Sequence, residues 1–308
     1  MPLRAFIAAL FFCAACGQVV AADVIGYSEA FDTLYRVDLT TQTATEIGRA
    51  TPQGVARLAN VEGLTFSPAG KLYAVSDAGS VKTLLSIDMG SGLATAIKTL
   101  NLGTVSQLDL GMAFTCDGRL WLSAVTGQLW QVDATTGQLN LIGNMGATIT
   151  GLAAKGNQLY GAGSQGSNQL FSIDTSTAKA TSIGAYTSST YITAASPGFD
   201  TSGQLWVLLD YVPPPVDSSP AAQWSDLGTI ATSSGSLTNL GPVTAQGQSA
   251  ANLAYIGLRG LAIPDAVCAA AAANVATTPA LSGRALVGLI LLLMWIAGTV
   301  LRWRRPMA

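Results

Sequence analysis

The stretch Gly111–Gly143, GMAFTCDGRLWLSAVTGQLWQVDATTGQLNLIG, constrains the chain most, because it is the cleanest copy of a recurring unit. Four strands are predicted in it: Gly111–Thr115, Arg119–Ala124, Gln128–Val132 and Gln138–Ile142. A Cys-Asp-Gly turn, a Thr-Gly step and the turn Asp133–Gly137 separate them, which is hairpin chemistry. Asp133 can accept backbone N–H bonds two residues on, and Gly137 adopts positive φ without steric cost. The unit is a four-stranded antiparallel meander. Such a sheet cannot bury both faces alone, so it needs neighbours of its own kind.

Partial and full copies flank it. Asp23–Gly48 matches the second, third and fourth strands but has no first strand. Val61–Ile97 is a full unit, as is Thr150–Gly184. A looser one runs from Gly198 through Gly203–Leu208 and an insertion to Leu227–Ile230 and Ser236–Leu240, with Ala231 in the place of the turn aspartate. Then Gly257–Ile263 reads as a first strand with nothing behind it. The chain thus begins with a unit lacking its first strand and ends with a first strand lacking its unit. Pairing the two closes a ring and removes its exposed edges.

The expected fold is therefore all-β: a five-bladed β-propeller over 23–265, closed by a C-terminal strand. A sixth blade hidden in the long fifth unit is the alternative. Tyr211–Pro220, YVPPPVDSSP, reads as a stiff rim loop, either a tolerated insertion or a partner-binding protrusion. With 10% charged residues, the composition suits strands buried on both faces. A formal net charge of −2 and no basic patch argue against nucleic acid. The chain has no histidine, which excludes Ser-His-Asp triads, Cys-His pairs and His-ligated zinc or haem within it.

Both ends read as addresses. Met1–Ala22 carries Arg4, a short apolar run and Val20-Ala21-Ala22, an export signal cleaved after Ala22. Ala14-Ala15-Cys16-Gly17 resembles a lipobox, with Cys13 where that motif usually has Leu, and is the second reading. Residues 266–280 are read as an Ala-rich linker and 281–308 as a sorting tail. Ala285–Leu301, ALVGLILLLMWIAGTVL, would span about 25 Å as a transmembrane helix. The Arg302–Arg305 cluster places its end in the cytoplasm.

The units, with a Gly-x-Leu-Tyr/Trp step and a Leu-x-x-Ile/Val-Asp-x-x-Thr-Gly step, resemble those of bacterial exported propellers. Pro279, Ala280, Leu281 and Ser282, the apolar helix and the Arg cluster resemble the IPTL-CTERM and PEP-CTERM class of sorting tails. That resemblance implies insertion in the inner membrane of a Gram-negative bacterium and a membrane protease as partner. Gly283-Arg284-Ala285 departs from the Glu-Trp-Gly that often follows the Ser. The chain is accordingly expected to be exported, and either anchored facing the periplasm or displayed or secreted after tail processing.

Candidate chemistry lies where inner strands meet the central channel. Glu62, Asp109, Thr150, Pro197 and Arg259 stand at or just before those strands, and Asp77 and Asp210 follow second strands. Carboxylates there would bind Ca²⁺ or serve as acid and base; the structural alternative is that Glu62, Asp109 and Arg259 pair across the ring. No cofactor is required. Asp38, Asp88, Asp133 and Asp174 head hairpin turns, a structural role. Leu72-Tyr73, Leu120-Trp121, Leu159-Tyr160 and Leu205-Trp206 fit packing between blades, with sugar-stacking platforms as the alternative. Cys116 and Cys268 remain after export and belong to one rim, as a disulfide or as free thiols. Three functions stay open: a non-catalytic envelope module binding protein or polysaccharide, a metal-dependent hydrolase or lyase, or a structural component of an extracellular matrix.

Overall fold

The computed structural model describes residues 24–30, 32–50, 61–78, 81–103, 109–188, 191–211, 224–245, 258–264 and 268, with only the backbone at 77, 78 and 224. The export signal and Ala22, the proline-rich loop 212–220, the linker from 269 on, the motif Pro279–Ser282 and the apolar stretch 285–301 lie outside these residues. Among the described residues no helix is long and apolar enough to cross a membrane.

Five sheets are arranged in a ring. Blade 1 contains β1 (Ile25–Ala30), β2 (Thr33–Asp38) and β3 (Thr43–Arg49). Blade 2 is β4 (Val61–Phe66), β5 (Leu72–Ala78), β6 (Val81–Ile87) and β7 (Ala94–Leu100). Blade 3 is β8 (Leu110–Phe114), β9 (Leu120–Ala124), β10 (Gln128–Val132) and β11 (Leu139–Asn144). Blade 4 is β12 (Ile149–Lys155), β13 (Gln158–Gly163), β14 (Gln169–Ile173) and β15 (Ala180–Ala185). Blade 5 is β16 (Ile192–Phe199), β17 (Leu205–Tyr211), β18 (Trp224–Ile230) and β19 (Leu237–Pro242). The long fifth unit thus forms one sheet, not two, and the sixth blade is not formed among the described residues. Its first strand begins at Ile192, six residues before the expected Gly198, because Ile192, Ala195 and Phe199 face the core across a Pro-containing strand.

Two short C-terminal strands complete blade 1. β21 (Arg259–Ala262) pairs antiparallel with β1, opposing Tyr27 to Ala262 and Glu29 to Arg259. β20 (Thr244–Ala245) pairs parallel with β3 on the outer edge. The sheet order β20-β3-β2-β1-β21 therefore clasps the start of the chain from both sides. The outer clasp was not legible in the sequence, because two residues of Thr-Ala carry no strand pattern.

Burial falls from hub to rim, and composition follows it. Inner and second strands β8 and β9 are buried at every position, whereas the outermost β11, β15 and β19 alternate half-buried and exposed. Between blades, a second-strand aromatic meets a first-strand phenylalanine of the next blade. Tyr27 packs on Phe66, Tyr73 on Phe114 and Tyr160 on Phe199, with ring centroids 5.6, 5.2 and 5.3 Å apart. Trp121 is fully buried, and its Nε1 donates to Thr115 Oγ1 at 3.1 Å. These contacts pack the rings between blades.

The turn aspartates bond their own hairpins. Oδ1 of Asp133 accepts from the N–H groups of Thr135 and Thr136, both at 2.8 Å, and Oδ1 of Asp38 from Thr40 and Thr41. Such bonds favour the charged form. They hold the Asp133 carboxyl below its ordinary pKa, as the Ser91 and Ser176 hydroxyls do first for Asp88 and Asp174.

Candidate functional site

The hub is nearly solid. At the axis β16 places Ser196, whereas each of the other four inner strands places a glycine: Gly63, Gly111, Gly151 and Gly260. The spacing at these glycines leaves no room for a side chain. A Cβ on Gly151 would lie 2.0 Å from the Ala195 carbonyl oxygen, and one on Gly111 would lie 2.8 Å from Gly151 Cα. What remains is a cavity of about 10 Å³ lined by Glu62, Thr150, Ser196 and Pro197 among others. That is about the room of one water. Chemistry at the axis is thus confined to its two mouths.

At the mouth where inner strands begin, four carboxylates, Glu29, Glu62, Asp109 and Asp210, act on one guanidinium. Glu62 is carried by β4 next to its hub glycine, and Arg259 holds the corresponding place on β21. Arg259 Nη1 donates to Glu62 Oε1 at 2.5 Å, with the Glu62 side chain 4% and the Arg259 side chain 32% exposed. Asp210, near the end of β17, and Asp109, leading into β8, act on the same guanidinium electrostatically. Asp77 lies in β5 opposite Lys82, and its side chain is not among the described ones.

Each acid has its own fixing bond. Asp109 Oδ2 accepts from Gln165 Nε2 of the β13–β14 turn, which also donates to the Thr193 carbonyl at 3.2 Å. Asp210 Oδ1 accepts from the Ser225 hydroxyl of β18, and Ser225 Oγ accepts the Leu258 N–H at 2.8 Å. Glu29 stands opposite Arg259 in the ladder, and its Oε1 accepts from the Asp32 N–H.

Burial dominates the electrostatics. It raises Glu29 to about 8, only partly offset by the Asp32 N–H. It raises Glu62 and Asp210 to about 7, against the pull of Arg259 and, for Asp210, of the Ser225 hydroxyl. Asp109 is raised for the same reason. Burial by itself would depress Arg259, but Glu62, Asp210 and Asp109 outweigh it and hold the guanidinium firmly charged. Near neutral pH the group therefore carries partly protonated acids around a permanent cation.

The structure thus brings Glu62, Asp109, Asp210 and Arg259 together at one mouth and leaves Thr150 and Pro197 in the hub wall. Glu29, Gln165 and Ser225 belong to the same group and escaped the sequence reading. Glu29 takes the place that Val75 has in blade 2, so the repeat gave no signal for it. Gln165 and Ser225 reach the site through turns and long-range pairing, with no pattern to announce them. Among the described residues no group of three or more Cys, Asp or Glu side chains is placed to hold a metal ion.

At the opposite mouth a cavity of about 80 Å³ is lined by Phe66, Phe114, Phe199, Ile263 and Cys268 among others. Cys116 and Cys268 form a disulfide here, with Cα atoms 5.1 Å apart.

Neither a family model nor a curated protein sequence matches the chain. Among solved structures it is similar to a chain of a nidogen/laminin complex, at 11% identity and a TM-score of 0.49, covering 78% of this chain and 98% of that one. It is similar also to TolB from Acinetobacter baumannii, at 15% identity and a TM-score of 0.43, covering 78% and 66% respectively. A third is a provisionally assigned exo-beta-1,3-galactanase from Bifidobacterium bifidum s17, at 14% identity and a TM-score of 0.48, covering 73% and 87%. The blade count and ring closure rest on the strand pairings of this chain.

Proposed function

We propose that this chain is a non-catalytic exported propeller, a binding or scaffold module of the cell envelope. Its partner, a protein or a polysaccharide, engages the mouth bearing Arg259. One observation carries the reading: the point beside the Glu62 carboxylate where a metal would sit already holds the Arg259 guanidinium. A cation site built for Ca²⁺ needs that point for the metal and several oxygens converging on it. The C-terminal apolar stretch and the Pro279–Ser282 motif support attachment to the inner membrane or processing there, with the propeller on the far side.

A second reading, a metal-dependent hydrolase or lyase, draws on acids raised toward neutrality, as functional carboxylates often are. Calorimetric titration with CaCl₂ and ZnCl₂ separates the two. The expected result is no saturable binding. Stoichiometric uptake that Glu62→Gln abolishes would replace the first reading with the second.

The binding face is tested by a photo-crosslinking side chain at exposed Thr126, in the β9–β10 turn of the Arg259 mouth, or at exposed Thr135 on the opposite rim. In intact cells the Thr126 probe is expected to yield a defined adduct and the Thr135 probe none. Adducts from Thr135 alone would move the face; adducts from neither would remove the binding role.

A further inference from the structure

The strand that closes the ring has the shortest inner ladder in it. β21 meets β1 through two register pairs with an irregularity between them. The corresponding contact in blade 4, β12 with β13, runs through six. A two-pair ladder cannot hold a strand unaided in water. Other ties take its place. Arg259 reaches Glu62 of blade 2. Ser28 Oγ donates to the Gly260 carbonyl at 2.6 Å, and Ser196 Oγ of blade 5 accepts the Gly260 N–H at 3.2 Å.

A further tie is covalent and crosses the ring. Cys268, just past β21, is bonded to Cys116 in the β8–β9 turn of blade 3, which does not adjoin blade 1. The anchor itself is held by two blades, since the Cys116 N–H donates to the Gly156 carbonyl of blade 4 at 2.9 Å. The bond joins positions 152 residues apart in sequence and keeps β21 at high effective concentration beside β1.

We propose that the Cys116–Cys268 disulfide is a redox-operated latch on the β1–β21 seam. A dithiol reductant transfers two electrons: its own sulfurs become a disulfide, and Cys116 and Cys268 become thiols. β21 then leaves β1, while blades 2 to 5, each contiguous in sequence, keep their sheets. The outer pairing of β20 with β3 lies upstream of β21 and keeps blade 1 tethered as its inner edge opens.

Native-state hydrogen exchange read by mass spectrometry tests this on the full chain, oxidised and after dithiol treatment. Peptides covering Ile25–Ala30 and Arg259–Ala262 are expected to exchange about tenfold or more faster once reduced, and those of β12–β13 and β16–β17 to change less than about threefold. Reoxidation restores the slow rates. Equal acceleration in all five blades overturns the proposal, since the bond would then stabilise the molecule as a whole. Unchanged seam rates also overturn it, as does recovery of both cysteines as alkylatable thiols from oxidising conditions. Cys268→Ser without reductant is expected to reproduce the reduced pattern. If that variant unfolds, the reduced wild-type chain decides.

Discussion

Blades 1 and 4 have the same second, third and fourth strands and are built in opposite ways. Blade 4 is one continuous stretch, Ile149–Ala185, whose every ladder joins neighbours in sequence. Blade 1 takes its outer clasp from 244–245 and its inner strand from 259–262, more than two hundred residues from their partners. Local ladders form at small loop-closure cost, whereas the seam of blade 1 must repay the ordering of a long chain. That difference explains why side-chain ties gather on β21.

Four substitutions or conditions would break or sharpen that contrast. The largest effect is expected at the hub of blade 4, where local ladders do not help. Gly151→Ala puts a methyl group against the Ala195 carbonyl and should cost roughly 3 kcal/mol, read as a lowered urea midpoint. A shift below about 1 kcal/mol would mean the hub yields more easily than its spacing implies.

Next, Arg259→Met leaves Glu62 and Asp210 buried without their cation. A loss of about 3 kcal/mol is expected at pH 8, shrinking at pH 5 where both acids are protonated. The double variant Arg259→Met/Glu62→Leu should recover part of it. Failure to recover would assign the cost to packing of the arginine stem rather than to charge.

Third is the pH dependence of the wild-type chain. Glu29, Glu62 and Asp210 have folded pKa values above their ordinary ones, so the folded state binds more protons than the unfolded state. Their contribution is complete below pH 4 and is lost as pH rises to 8. Urea midpoints are expected to fall across that range, and Glu29→Gln to flatten the slope. A rising midpoint would reverse the sign assigned here.

The smallest effect belongs to the exposed turns of blade 4. Asp174→Ala removes the bond from the Ser176 N–H but leaves the hairpin's backbone pairing, and the melting temperature should move by only a few degrees. A drop matching that of Gly151→Ala would show the turn to be essential for blade 4.

Much of the architecture was legible because it is periodic. The Leu-aromatic and Leu-x-x-Ile/Val-Asp steps put strand, turn and packing aromatic at matching places in blades 2, 3 and 4. Leu258–Ile263 could be matched to the gap before Val24 for the same reason. The site was half legible. Glu62 and Arg259 share a place beside a hub glycine, so their meeting followed from the repeat. Glu29, Gln165 and Ser225 did not, because their roles arise from register across the seam and from turns of other blades. Pro197 hid six residues of β16 at the start of blade 5, since it interrupts the apolar alternation by which strands are recognised.

By itself the sequence determined the units and the offset between its two ends, since strand and turn preferences act over a few residues and repeat, while the single sheet of the fifth unit fixed their number at five. Only the tertiary structure decided that the axis is closed by four glycines and Ser196, that one arginine is shared among four acids, and that β20 clasps the outer edge. Those outcomes depend on distances between segments far apart in the chain. Burial, the term that raises Glu29, Glu62 and Asp210, exists only once the blades have packed around them.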